Sequence, residues 1–132
     1  MSLNNSKVKV LYIEDDTVQR HVIFHVLKRH GFIVQTALDG QGGVALAQSW
    51  QPDLILMDLM LPIMDGYQAA QALREHPDTE HIPIVAYSAV TDKDVEARVQ
   101  AVGMNGLLPK TTSPRELVQR LESYLSSECP KP

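Results

Sequence analysis

Four short apolar runs in this sequence end at residues that can do chemistry. The first run is followed by Glu14-Asp15-Asp16, another by Asp58, a third by Ser88, and the last, after Pro109, by Lys110. Brought together, these would form a cluster of at least three carboxylates with one hydroxyl and one ammonium. Crowded carboxylates repel, and only a proton or a cation relieves that repulsion. An all-oxygen cluster suits Mg²⁺, a hard cation that keeps several waters and takes one or two carboxylates plus a phosphate oxygen. A carboxylate neutralised in this way can attack phosphorus. The ammonium would pair first with that carboxylate and then with the phosphoryl group, and the hydroxyl could donate to a phosphoryl oxygen. Taken singly, each feature has a plainer reading. Glu14-Asp15-Asp16 fits a solvated helix cap, Asp58 an ordinary loop acid, and Ser88 a turn cap. Their shared placement after apolar runs favours the chemical reading.

The elements that must position these residues alternate along the whole chain. Strand-like runs occupy residues 8–13, 33–37, 54–57, 82–87 and 106–108, and helical periodicity occupies 17–29, 42–49, 67–75, 92–102 and 115–126. Such alternation predicts a doubly wound (βα)₅ α/β domain, a parallel sheet with helices on both faces. Three of the strands are nearly continuous apolar runs, as expected where both faces are covered. In the first helix Val18, Val22 and Val26, with Ile23 and Leu27, read as one apolar stripe flanked by His21, His25, Lys28 and Arg29. Gly31 and Gly103 are placed to end helices in the left-handed conformation, and Ser113-Pro114 has the order of a helix start. A doubly wound sheet binds ligands outside the carboxyl ends of its strands, where strand order reverses. The four chemical sites fall at such ends.

Four segments together resemble the response-regulator receiver family of two-component signalling. They are Lys-Val-Leu-Tyr-Ile-Glu-Asp-Asp at 9–16, Asp-Leu-Met-Leu-Pro-Ile-Met-Asp-Gly at 58–66, Ile-Pro-Ile-Val-Ala-Tyr-Ser-Ala at 82–89, and Pro109-Lys110. The likeness spans residues 7–126, and its most specific part is the Asp58 segment with its proline and glycine. The resemblance implies a five-stranded parallel sheet of flavodoxin-like order 2-1-3-4-5. It implies that Asp58 is the phosphoacceptor, that Asp15 ligates Mg²⁺ directly, and that Glu14 acts through a bound water. The Met60 backbone carbonyl would be a further metal ligand, Ser88 and Ala89 would meet the phosphoryl group, and Lys110 would pair with it. The implied function is a switch that takes its phosphoryl group from a histidine kinase or histidine phosphotransfer protein. It would catalyse only its own phosphorylation and dephosphorylation, and so is not an enzyme in the ordinary sense. Its output would be altered binding to a downstream protein, or to a second copy of itself, through the face formed by residues 92–126.

Three positions depart from the family pattern. Glu14 stands where aspartate is commoner, Leu107 where a tyrosine or phenylalanine usually turns inward, and Thr111 where proline usually follows the lysine. A pseudo-receiver that binds partners without phosphorylation is one alternative. A haloacid-dehalogenase-like phosphatase is another, but it wants an acid two residues after the nucleophile, where this chain has Met60.

Composition bounds the rest. At 132 residues with 44% hydrophobic content the chain suffices for one domain, with residues 127–132 read as a tail or the start of a linker. A single cysteine, Cys129, allows no internal disulfide and points to a reducing, cytoplasmic setting. No apolar run approaches the roughly 20 residues of a membrane span, and the amino-terminal residues lack the apolar segment of a secretory signal. The formal net charge of −4 argues against nucleic-acid binding through this domain. His21 and His25 have zinc-compatible spacing but no evident third ligand.

Overall fold

The computed structural model describes residues 7–126. Five strands, β1 (Lys9–Ile13), β2 (Ile33–Ala37), β3 (Leu54–Asp58), β4 (Ile84–Ser88) and β5 (Gly106–Pro109), alternate with five helices, α1 (Thr17–Arg29), α2 (Gly40–Trp50), α3 (Gly66–Glu75), α4 (Lys93–Ala101) and α5 (Pro114–Ser126). The strands form one sheet in the order β2-β1-β3-β4-β5, and every pairing is parallel. The expected fold and strand order are those observed. Each residue of β3 and β4 is buried, which is why these runs carry no polar alternation until their last residues, Asp58 and Ser88.

Because side chains alternate across a strand, the sheet divides the interior in two. Leu11, Ile13, Ile55, Met57, Ile84 and Ala86 pack under α2, α3 and α4. Val10, Tyr12, Leu56, Val85, Tyr87 and Leu108 pack under α1 and α5. The helices are cut where their local chemistry requires. Asp16, Asp39, Asp65 and Asp92 each cap a helix by accepting from a backbone N–H three residues on. The Ser113 hydroxyl does the same for Glu116 at the start of α5. Gly31 and Gly103 have φ of 94° and 82°, and each closes a Schellman end, with Phe32 N–H reaching Leu27 and Met104 N–H reaching Val99.

Several details differ from the sequence reading, among them α2, which starts at Gly40 rather than Gly42 and ends at Trp50 rather than Ser49. Asp58 is the last residue of β3 rather than the first of the following loop. β4 begins at Ile84 rather than Ile82, because Pro83 has no N–H and the Ile82 carbonyl is taken by Arg74 Nη1 at 2.8 Å. Arg74 also bonds Gly103 and Asn105, and Asn105 in turn receives Ile84 N–H, so one half-buried guanidinium aligns the starts of β4 and β5. The apolar stripe of α1 is broader than what is buried. Ile23 and Leu27 are inside, whereas Val18 and Val22 are 70% and 52% exposed. At about 100° per residue, Val22 lies a quarter-turn off the buried line. No helix among the described residues is long and apolar enough to cross a membrane. Residues 127–132, including Cys129, lie outside the described residues.

Candidate functional site

Strand register assembles the site. Ile13 of β1 lies beside Met57 of β3, Asp58 lies beside Tyr87 of β4, and Ser88 lies beside Pro109 of β5. The residues that follow or end these strands therefore share one edge. Glu14, Asp15 and Asp58 each place a carboxylate oxygen within 4.8 Å of the others. Glu14 and Asp58 are buried and Asp15 is exposed. Asp16, the third acid of the run, faces away to cap α1 and accepts from Gln19 N–H at 2.9 Å.

Lys110 Nζ bridges the two buried acids, donating to Glu14 Oε1 at 2.8 Å and Asp58 Oδ2 at 3.0 Å. The other Asp58 oxygen accepts from Met60 N–H at 3.2 Å. Lys110 N–H is held by the Ser88 carbonyl at 2.9 Å, which ties the loop after β5 to the end of β4. One ammonium thus faces three carboxylates. Burial, and then the neighbouring Asp58, push the Glu14 carboxyl up from its ordinary value despite the opposing ammonium. Burial alone would lower the Lys110 pKa, but its hydrogen bonds to Glu14 and Asp58 outweigh that and raise it. The raised Lys110 and the Asp58 contribution at Glu14 reflect carboxylates outnumbering the ammonium, and the clustered donors are all oxygens. Such a site fits a hard divalent cation.

Two of the acids are also fixed from outside the cluster. Tyr12 Oη donates to Glu14 Oε1 at 3.0 Å, and Asp16 N–H to Glu14 Oε2 at 3.2 Å. Arg20 Nη1 donates to the Glu14 and Asp15 carbonyls at 3.0 and 3.3 Å, setting the backbone between β1 and α1. Neither Tyr12 nor Arg20 stood out in the sequence. A tyrosine two residues before a buried acid on the same strand face is the signal that could have found the first.

Beside the acids lies a cavity of about 170 Å³, lined by Asp58, Met60, Tyr67, Ser88, Ala89 and Lys110 among others. Ser88 Oγ is turned toward its own loop, donating to the Val90 carbonyl at 2.8 Å and accepting from Val90 N–H at 3.1 Å. Leu107 is not in this cavity. It lines a separate groove with Glu96, Val99, Gln100 and Met104. The aromatic ring that does border the cavity is Tyr67, held under Arg98 at 3.8 Å. The peptide between Lys110 and exposed Thr111 is trans, since no cis bond occurs among the described residues. His21 and His25 touch edge-on at 5.0 Å. The acid cluster is the only metal-compatible group of three or more such residues among the described residues.

A doubly wound parallel sheet with a buried acid at the end of its central strand, bridged by the lysine that follows the last strand, is a recognisable class of α/β domain. The family described as "Response regulator receiver domain" matches residues 10–122, and the chain belongs to that family. Among curated relatives, the DNA-binding dual master transcriptional regulator RpaA of Synechocystis sp. is 34% identical over 119 residues, covering 89% of this chain and 48% of that protein. The chain spans about half the length of the first curated relatives it matches. The structure of Vibrio cholerae chemotaxis protein CheY4 superposes with a TM-score of 0.85 at 31% identity, covering 89% of this chain and 98% of that one. The receiver domain of the Pseudomonas aeruginosa sensor histidine kinase PA1611 gives 0.85 at 31% identity, covering 91% and 98%, and that structure holds a magnesium ion in its active-site cleft.

Proposed function

We propose that residues 7–126 are a phosphorylation-activated switch in which Asp58 accepts a phosphoryl group in a Mg²⁺-dependent reaction. The observation that carries this is the Lys110 bridge: one ammonium, shared by Glu14 and Asp58 with Asp15 alongside. Asp15, Asp58, the Met60 carbonyl and, through water, Glu14 would hold the cation. Bound there, Mg²⁺ supplies positive charge that offsets repulsion between the carboxylate and the phosphoryl oxygens.

The chain's own residues do the rest. An Asp58 oxygen attacks phosphorus, forming the new O–P bond as the P–N bond of a donor phosphohistidine breaks, and the imidazole leaves with a proton from solvent. Lys110 follows the charge, exchanging its bond to Asp58 Oδ2 for one to a phosphoryl oxygen. Ser88 gives up its bond to the Val90 carbonyl and donates to another phosphoryl oxygen, with Ala89 beside it. A modification shifts a two-state equilibrium only by interacting differently with the two states, and the Ser88 and Lys110 exchanges supply that difference. The donor on this reading is a histidine kinase or histidine phosphotransfer protein in the cytoplasm. The output is changed binding, to another protein or a second copy, through the 92–126 face, with residues 127–132 as tail or linker.

Incubation with acetyl phosphate and Mg²⁺, followed by intact mass measurement, tests the reading. Wild type gains one phosphoryl group, while Asp58→Ala and EDTA-treated wild type gain none. An adduct that persists in Asp58→Ala at the wild-type rate overturns the assignment. No adduct in wild type at saturating Mg²⁺ leaves a binding module without the chemistry.

A further inference from the structure

We infer that Tyr12 is a positioning residue that sets the Mg²⁺ affinity of this site by fixing Glu14. The inference rests on the reading of Glu14 as one of the acids that hold Mg²⁺. Glutamate at this position has one methylene more than the aspartate commoner in such domains, and its carboxylate must be held somewhere. Here it is held by three donors: Tyr12 Oη and Lys110 Nζ on Oε1, and Asp16 N–H on Oε2. Two of them are present for reasons unrelated to a metal. Asp16 N–H is fixed by the cap of α1, and Tyr12 is wholly buried among Ile23, Leu27 and Tyr87 beneath α1 and α5.

A buried phenol needs an acceptor, and Tyr12 has Glu14, two residues along the same strand face. An aspartate at position 14 would withdraw the carboxylate by about 1.5 Å, one C–C bond. The 3.0 Å bond would then be lost. The long acid and the buried hydroxyl are therefore a matched pair. Their consequence appears when Lys110 exchanges Asp58 for the phosphoryl group and is drawn off Glu14. Glu14 Oε1 keeps its Tyr12 donor, so the carboxylate stays where the cation needs it instead of following the ammonium.

The test uses Tyr12→Phe, Glu14→Asp and the double variant, each read by Mg²⁺ calorimetry, by acetyl-phosphate labelling across a Mg²⁺ series, and by thermal unfolding without metal. Tyr12→Phe should weaken Mg²⁺ binding about 10-fold, the lower end of what loss of an outer-shell partner costs. Added Mg²⁺ should recover its labelling rate, which a general loss of structure would not allow. In the Glu14→Asp background the same change should leave Mg²⁺ affinity unaltered. Glu14→Asp should lower the melting temperature, because the Tyr12 hydroxyl is buried without an acceptor, and adding Tyr12→Phe should restore it. A Tyr12→Phe titration that superimposes on wild type overturns the inference, as does an equal effect in both backgrounds. If Tyr12→Phe alone fails to fold, the comparison of Glu14→Asp with the double variant decides, and no gain in stability in the double variant overturns it. Wild type that binds no Mg²⁺ overturns the site reading and the affinity role together, while the metal-free stability comparison still reports the pairing of Tyr12 with Glu14 separately.

Discussion

Lys110 is the residue on which the resting site depends most. Its ammonium is the cation seen on both buried carboxylates, whose side chains are 1% and 8% exposed. Removing one partner of a buried charge pair is far costlier than never having built the pair, since the remaining charge is left without compensation. Lys110→Met should therefore destabilise the metal-free protein by about 3 kcal/mol. Because the loss is one of positive charge, millimolar Mg²⁺ should return part of it, as binding to the folded state alone stabilises that state. Urea unfolding of wild type and Lys110→Met, with and without Mg²⁺, checks both statements. A variant as stable as wild type would mean that the two acids are relieved by protonation instead.

At the scale of elements, the site depends on how closely α3 approaches the end of β3. Gly66, the first residue of α3, leaves no room for a side chain. A Cβ there would come within 2.7 Å of the Asp58 carbonyl and 2.8 Å of Leu59 Cα, both backbone atoms that cannot swing aside. Gly66→Ala should cost about 2 kcal/mol through overpacking and should slow Asp58 labelling even in the folded fraction, because the acceptor strand end moves. A thermal melt and the acetyl-phosphate mass assay report the two effects independently. The elements that would carry a signal outward under the proposed function are arranged less conventionally. Leu107 faces α4 residues rather than the Ser88 cavity, and Tyr67 provides the ring there. Beryllofluoride with Mg²⁺ should thus shift amide resonances strongly from Ser88 to Val90 and near Tyr67, and weakly along β5 and α5. Leu107→Tyr should enlarge the β5 and α5 shifts. Large wild-type shifts there that Leu107→Tyr leaves unchanged would show that position 107 does not limit transmission.

For the molecule as a whole, the buried titratable groups give stability a definite pH dependence. Burial raises the Tyr12 and Tyr87 hydroxyls, and the two carboxylates raise Lys110. A group whose folded pKa lies above its unfolded one contributes stability that is full below the unfolded value and lost as pH rises through the folded value. All three therefore act with the same sign. These three groups should keep their contribution through neutral pH, and the metal-free protein should lose it progressively above pH about 10, where the unfolded tyrosines and lysine begin to give up protons. Glu14 acts with the same sign in another window, contributing stability that is full below its ordinary value of 4.5 and lost as pH rises through its raised folded value. Urea midpoints between pH 8 and 11 check the alkaline limb, and Tyr12→Phe should make it shallower. A flat profile to pH 11 would contradict the buried network.

What the sequence determined by itself was whatever depends on neighbours along the chain. The alternation of strand and helix, the Schellman glycines Gly31 and Gly103, the Ser113 cap and the acids at strand ends are all local signals. They sufficed for a parallel sheet wrapped by helices, whereas the strand order was legible only through the resemblance to the receiver family. The tertiary structure alone decided which acid shares the ammonium, since Lys110 lies 96 residues from Glu14 and 52 from Asp58. It decided that Glu14 is buried while Asp15, next to it, is open to solvent, that Ser88 rests on Val90, and that Tyr12 belongs to the site. It decided that Val18 and Val22 are exposed although their spacing matches the buried stripe. Spacing places side chains on an arc, but burial and pairing depend on which distant segment packs against that arc.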